Sequence, residues 1–422
     1  MPGATLQRID AEILIPGAGE PRASATLIVK GGVIDWIGPS SDAPRVGSDT
    51  RHFAVPILLP GMWDCHTHLT GLREPPLAGV MHVPVPVAVA RAVGDAARAL
   101  DAGFTSVREV GGYGVYLARA VEEDAMRGPH IYAAGDLISP TGGHADLHSY
   151  SLGCVADYAA RDGWLHTCDG EAECLRAVRL QLRRGAKLIK VCASGGVLTE
   201  YDDPQHQQFT DHELKTIVEE AARAERIVAA HCHGKAGIMA ALRAGVHTIE
   251  HGTYLDEEAA AAMKEAGAIL VTTRFVKVRM TELAERGGLP EYARRKLEET
   301  AERHREAVAL AIRAGVTIAA GTDTLTTGMD SALRWGLHGL EPALLVEAGM
   351  TPLQAIGAAT ATAPRTLGPQ APKAGRLETG WDADLCAVSQ NPLEDIGVLA
   401  DPGSVTHVWK SGRLEKQPTG VG

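Results

Sequence analysis

The sequence predicts an α/β protein, a (β/α)8 TIM barrel joined to a small β-sandwich built from both chain ends. Short apolar runs alternate with helical stretches over about 306 central residues, which is the rhythm of parallel βα units. Eight such runs can be counted, the strand number of a closed barrel. The first 58 and last 58 residues instead alternate short β-rich runs with turns.

At the N-terminal end, runs 26–30 and 33–38 flank the turn Gly31-Gly32, which reads as an antiparallel pair. At the C-terminal end, runs 384–388 and 405–410 precede the turn Ser411-Gly412. Neither end has enough strands to bury a core alone, so the two are expected to pair into one module. The expected division is 1–58 and 365–422 for the two halves of the sandwich and 59–364 for the barrel. Candidate barrel strands are 57–66, 105–109, 130–134, 187–192, 227–231, 246–251, 268–272 and 316–321. Helical spacing of Ala, Glu and Arg fills 211–225, 257–266 and 292–314, the last read as a solvated charged face. The longest stretch with no assigned element, 135–166, is expected to lie over the mouth of the barrel.

Composition excludes several classes. A hydrophobic fraction of 45% with 22% charged residues excludes disorder, collagen and coiled coil. A net charge of −11 argues against a nucleic-acid groove or an anionic membrane surface, and an aromatic fraction of 4% argues against stacking platforms for bases. Seven scattered cysteines, with no CxxC pair, read as a reduced chain and so predict a cytoplasmic location. Arg8, Asp10 and Glu12 interrupt the apolar stretch a signal peptide would need. Four prolines in the uncharged run 75–90 exclude a membrane span there.

Barrel enzymes take their chemistry from the C-terminal ends of their strands. The first run leads into Asp64-Cys65-His66-Thr67-His68, and residues two apart on a strand face one side, so His66 and His68 can grip one cation. The fifth run ends at His231, the sixth at His251, and the eighth is followed by Asp323. Imidazole and carboxylate donors around one rim suit zinc or a related divalent ion. The fourth run contains Lys190, whose burial is costly without a partner. Two readings are open from the residues: an ion pair with Asp323 or a rim glutamate, or an amine that has added carbon dioxide to become an anionic carbamate between two cations.

The motifs Leu59-Pro60-Gly61-Met62-Trp63-Asp64-Cys65-His66-Thr67-His68, Ile189-Lys190-Val191 with Ser194-Gly195-Gly196-Val197, His231-Cys232-His233-Gly234 and Ile249-Glu250-His251-Gly252-Thr253 resemble those of the metal-dependent amidohydrolase superfamily. They are most similar to its imidazolonepropionase-related branch and, within it, to enzymes of the Xaa-Pro dipeptidase (prolidase) type. Ala383-Asp384-Leu385 and Asn391-Pro392 extend the likeness to the C-terminal end. The resemblance implies two divalent ions, zinc by preference. His66 and His68 would hold the more buried ion, and His231 and His251 the more exposed one. Lys190 would bridge them as N6-carboxylysine, and Asp323 would bind the buried ion and shuttle a proton. His233 lies two residues from His231 and could replace it; His231 is preferred because it ends the apolar run, with His233 as a substrate contact.

The implied reaction is hydrolysis of the amide bond of a dipeptide or N-acyl amino acid, or of a related small amide or carbamate. A hydroxide bridging the ions attacks, and Asp323 passes its proton to the leaving nitrogen. His144 matches a family position that touches substrate, Arg274 could fork a substrate carboxylate, and Tyr254 and Tyr201 are further contacts. The family also implies a homo-oligomer. The alternative on the same site is a cyclic amidase or deaminase, or a phosphotriesterase- or lactonase-like metallohydrolase; Lys190 disfavours a mononuclear deaminase. No GxSxG motif supports a serine hydrolase, and Gly17-Ala18-Gly19 followed by Glu20-Pro21 is not a dinucleotide fingerprint. A barrel with lapsed chemistry, serving as a scaffold, is the non-enzymatic alternative. Cys65, Cys192 and Cys232 are read as small buried residues, and His206, His212 and His304 as polar-surface residues without function.

Overall fold

The structure, a computed structural model, describes residues 6–418 apart from Asp162. The chain opens with β1 (Gln7–Leu14), β2 (Arg22–Lys30), β3 (Val33–Pro39) and β4 (Arg51–Pro60). Gly31 and Gly32, both at positive φ (60° and 87°), make the two-residue turn between β2 and β3, where a side chain would strain the backbone. The chain then enters β5 (Met62–Leu72), β6 (Phe104–Glu109), β7 (His130–Ala133), β8 (Leu137–Ser139), β9 (Leu165–Thr167) and β10 (Ile189–Cys192). It continues through β11 (Val228–Cys232), β12 (Thr248–His251), β13 (Ile269–Val271), β14 (Thr317–Ala319) and β15 (Thr324–Thr326), and closes with β16 (Leu385–Val388), β17 (Val405–Lys410) and β18 (Arg413–Lys416).

The two chain ends share a sheet, in the order β18-β17-β16-β4-β1-β2-β3. It is one hydrogen-bonded sheet rather than the two facing sheets expected. The reason lies in β4, which pairs in parallel with β1 and antiparallel with β16 and so joins the two halves edge to edge. The expected strand 57–66 is in fact two strands. Gly61 breaks it: a Cβ there would lie 2.1 Å from Thr105 Oγ1, so the chain turns from the terminal sheet into β5 at the one residue that fits.

The remaining strands form parallel sheets ordered β14-β13-β12-β11-β10-β8-β9 and β15-β5-β6-β7. Parallel strands buried on both faces are near-continuously apolar, and all eleven residues of β5 are buried. The stretch expected as a plain loop, 135–166, contains β8 and the helix Leu152–Ala160 and leads into β9. Each of these two strands is three residues long, too short for an alternating pattern to show.

Helix Asp211–Arg223 starts at a capping box, Thr210 with Glu213. Helices Glu257–Ala266 and Glu291–Ala314 stop at left-handed glycines, Gly267 and Gly315. The last of these is not wholly a solvated face. Ala293, Leu297, His304, Val308 and Ala311 form a buried stripe at turn spacing, which also takes in Lys296 and Thr300.

Candidate active site

The strand ends converge on one cavity of about 70 Å³, lined by His66, His68, His144, Lys190, His231, His233, His251 and Asp323. These are eight of the eleven residues expected at the site. The ligating atoms of His231, His233 and His251 lie within 4.8 Å of one another, as do those of His66, His251 and Asp323. Asp323 Oδ1 stands 3.2 Å from His68 Nε2 and 3.6 Å from His66 Nε2.

Each ring is held from behind. Nδ1 of His66 meets Glu250 Oε2 at 2.8 Å, that of His68 meets Gly111 O at 2.7 Å, that of His251 meets Thr273 Oγ1 at 2.7 Å, and that of His233 meets Thr253 Oγ1 at 2.6 Å. Anchoring through Nδ1 leaves Nε2 as the free donor atom, the arrangement that orients metal-binding histidines. His231 is held differently: its Nε2 lies 3.1 Å from Gly195 O, and its ring stacks on His144 at 4.3 Å. His251, Thr273 and Asp323 have φ of 71°, 53° and 60°, a left-handed conformation costly for residues with a side chain. Such turns cluster where a strand end must aim a functional group.

Behind the histidines lies a buried ion pair that sequence reasoning missed. Arg108 and Glu250 are both fully buried, with Arg108 Nη2 2.7 and 2.6 Å from the two Glu250 oxygens. Arg108 also donates to Cys65 O and Thr248 Oγ1. An ionisable residue inside an apolar strand, the signal that singled out Lys190, marks Arg108 equally. Burial pushes the Glu250 carboxyl up, but the Arg108 guanidinium, the Lys190 ammonium and the His66 hydrogen bond together outweigh it and hold the carboxyl well below the usual carboxylate range. Burial, and then the Lys190 ammonium, lower His66 to about 4. Burial likewise takes His231, His233 and His251 well below the ordinary histidine value, so all four are neutral donors near pH 7. Asp323 is pushed up by burial and pulled lower by His66 and His68, ending below its ordinary value.

Lys190 is 1% exposed, and its Nζ has no hydrogen-bond partner. The ion pair with Asp323 or a rim glutamate is therefore not formed. Burial lowers its ammonium from the ordinary lysine value. His144 is held by Thr199 Oγ1 at 2.9 Å, and Thr199 in turn donates to Asp202 Oδ1 at 2.5 Å. Lys296 Nζ meets the same Asp202 oxygen at 2.9 Å, a network that sequence reasoning also missed.

Arg274, expected in the site, lines a separate groove between helices Arg274–Glu285 and Glu291–Ala314. It is the first residue of its helix, and the left-handed turn at Thr273 starts that helix with Arg274 outside and Val276, Lys277 and Met280 on the cavity wall. Tyr254 is half-buried and does not line the cavity; Tyr201 is 75% exposed and stacks on His148. His304, expected on a polar surface, is fully buried, with Nε2 2.7 Å from Thr272 O. Cys65, Cys192 and Cys232 are fully buried, as expected.

Neutral imidazoles and a carboxylate gathered at one cavity suit the binding of divalent metal ions. The amidohydrolase family model matches residues 57–414. The chain is 44% identical over 429 residues to ochratoxinase of Aspergillus niger, covering 98% of this chain and 87% of that protein. It superposes on the crystal structure of that ochratoxinase with a TM-score of 0.91 and 43% identity, over 100% of this chain and 97% of the other. A Xaa-Pro dipeptidase with methionine bound in its active site is similar at a TM-score of 0.85 and 30% identity, over 97% and 99% of the two chains. Sequence and site thus agree, and the chain belongs to the amidohydrolase family, a hydrolase of amide bonds.

Proposed function

We propose that this protein is a binuclear metal-dependent amidohydrolase that cleaves the amide bond of a small N-acyl amino acid or dipeptide. The observation that carries this reading is Lys190, an amine buried among neutral imidazoles with no hydrogen-bond partner. Its addition to carbon dioxide, with loss of a proton, gives N6-carboxylysine, an anion able to bridge two cations. His66, His68 and Asp323 would hold the buried ion, and His231 and His251 the exposed one, with zinc the metal their chemistry suits. His233, which shares a cluster with His231 and His251, is left as a substrate contact. A second reading exchanges the two, because His233 shares the Nδ1 anchoring of the other rings. Metal content of His231→Asn and His233→Asn separates them.

When bound, the metal pair supplies an ionised water near neutral pH and polarises a carbonyl. Asp323, held ionised by His66 and His68, is placed to accept a proton at Oδ1 and return it to a leaving nitrogen. His144 is fixed by Thr199 against the cavity, where it orients the substrate. Trp164, Leu137, Val276, Met280 and Leu325 supply apolar walls that exclude water.

The parallel sheets are proposed to close as a (β/α)8 barrel over 59–364, with the terminal module drawn from 1–58 and 365–422. Hydrogen bonds across both seams support this: Lys187 N to Ala133 O at 2.8 Å and Cys65 N to Ala320 O at 2.9 Å. All seven cysteines are free, which supports a reducing, cytoplasmic setting. A homo-oligomer follows from family likeness. Ochratoxinase and the Xaa-Pro dipeptidase, by their names, support amide substrates over the phosphotriesters, lactones and cyclic amides of the alternative reading.

The test assays the zinc-loaded full chain against dipeptides and N-acyl amino acids, with esters and phosphotriesters in parallel. The expected result is amide turnover that is lost with a chelator and restored by zinc. Asp323→Asn is expected to lower kcat by about 10²- to 10⁴-fold. Turnover of esters alone, or an Asp323→Asn enzyme as active as wild type, overturns the proposal.

A further inference from the structure

Lys277 is a cation that neither the resemblance nor the sequence patterns singled out. It sits on helix Arg274–Glu285, is 4% exposed, and lines the cavity together with Val276 and Met280. Its Nζ donates to Thr300 Oγ1 at 3.2 Å. Thr300 Oγ1 donates in turn to Lys296 O at 2.7 Å, so toward Lys277 it offers a lone pair and no charge. No carboxylate among the described residues forms a salt bridge with Lys277; Asp323 attracts its charge from a distance and Arg274 opposes it. Burial is the larger influence and brings the ammonium down to about 8, which leaves most of it charged near pH 7.

A buried ammonium with only a hydroxyl for company is costly unless an anion is brought to it. The groups able to carry an anion there are limited. Asp323 is committed to His66 and His68, and the helix face that brings Lys277 to the cavity also brings the apolar Val276 and Met280. The cavity thus holds, besides the histidines and Asp323 that would act on a carbonyl, a buried ammonium with no carboxylate among the described residues in a salt bridge to it, carried on the same helix face as Val276 and Met280. A molecule that fits both carries an amide, a carboxylate and an apolar body.

We propose that Lys277 binds the free carboxylate of the substrate and so makes the enzyme select N-acyl amino acids with apolar side chains over their neutral counterparts. The word substrate rests on the function proposed above; the anion site does not. Lys277 takes the role expected of Arg274, one helical turn earlier in the chain. A flexible ammonium serves as a point charge where a guanidinium fork would need room for two parallel hydrogen bonds.

The test reads binding apart from turnover. Calorimetry on the zinc-loaded full chain compares 3-phenylpropanoate with its neutral amide, 3-phenylpropanamide. Wild type is expected to prefer the acid by about 10- to 100-fold, the worth of a hydrogen bond to a charged group. Lys277→Met is expected to bind acid and amide alike, and Lys277→Arg to keep part of the preference. Replacing a buried charge by an apolar chain of similar length is expected to leave the fold intact, and Lys277→Gln gives a second neutral variant. A wild type with no preference, or a preference that survives in Lys277→Met or Lys277→Gln, overturns the assignment; survival would mean that the acid is held elsewhere, as at the metal. If the preference behaves as expected but no amide is hydrolysed, the anion site stands and the hydrolase reading falls.

Discussion

Arg108 and Glu250 lie one hydrogen bond behind His66, and the energetics of that pair decide how firmly the site is held. Both side chains are inaccessible to water, so removing one leaves the other charged and unpaired in the interior. Arg108→Met is expected to cost about 3–5 kcal/mol, whereas Arg108→Met combined with Glu250→Leu should recover most of the loss. Urea unfolding of the three proteins checks this; equal losses in the single and double variants would mean that the pair does not act as a unit. The double variant should still lose metal affinity, because His66 Nδ1 then has no acceptor. At this scale the histidines and Asp323 that line the cavity were legible in the sequence, since a histidine that ends an apolar run has few other places to point. Arg108 was harder to read because its partner is 142 positions away, and nothing local pairs the two.

The helix Arg274–Glu285 carries the cavity wall, and its start depends on a residue from another helix. Thr273, in a left-handed conformation, gives it no side-chain cap; Glu341 instead accepts from Arg274 N at 3.0 Å and Phe275 N at 2.6 Å, and from Thr272 Oγ1 at 2.6 Å. Glu341→Ala leaves two helix amides without their acceptor and is expected to cost about 1–3 kcal/mol, with Glu341→Gln costing less because an oxygen remains. Denaturant midpoints measure both. The same loss should loosen Val276, Lys277 and Met280 together, so KM should rise more than kcat falls. Local caps such as Thr210 with Glu213 could be read from spacing, but a cap supplied from residue 341 could not. The orientation of this helix is what moved the cationic contact from Arg274 to Lys277. Periodicity locates a helix face only when the helix start is known, and here a remote glutamate sets it.

For the molecule as a whole, the buried titratable groups set the pH dependence of stability in two opposing directions. His66 titrates at about 4 when folded against an ordinary value of 6.5, so its contribution is complete above 6.5 and is lost as pH falls from 6.5 through 4, about 3 kcal/mol in all. His231, His233, His251 and His304 are shifted in the same direction by burial. Glu109, raised by burial to about 8, and Glu341, raised to about 7, act in reverse: their stabilisation is present below 4.5 and lost as pH rises through those values. The metal-free chain is therefore expected to lose stability on both limbs. Glu109→Gln should flatten the alkaline one, gaining on wild type by about 1.4 kcal/mol per pH unit between 4.5 and 8. Urea midpoints from acid to alkaline pH test this; an unchanged alkaline limb in Glu109→Gln would remove Glu109 as its cause. The sequence alone determined the alternation of strand and helix, the pairing of the two chain ends and most of the residues that line the cavity, because apolar runs and the residues that end them are local patterns. Only the tertiary structure decided that the terminal strands share one sheet through β4, that Lys190 has no partner, that Arg108 meets Glu250, and that Lys277 rather than Arg274 faces the cavity. Each of these depends on groups distant in sequence being brought within a few ångströms, and the free energy of such contacts comes from burial that no local pattern records.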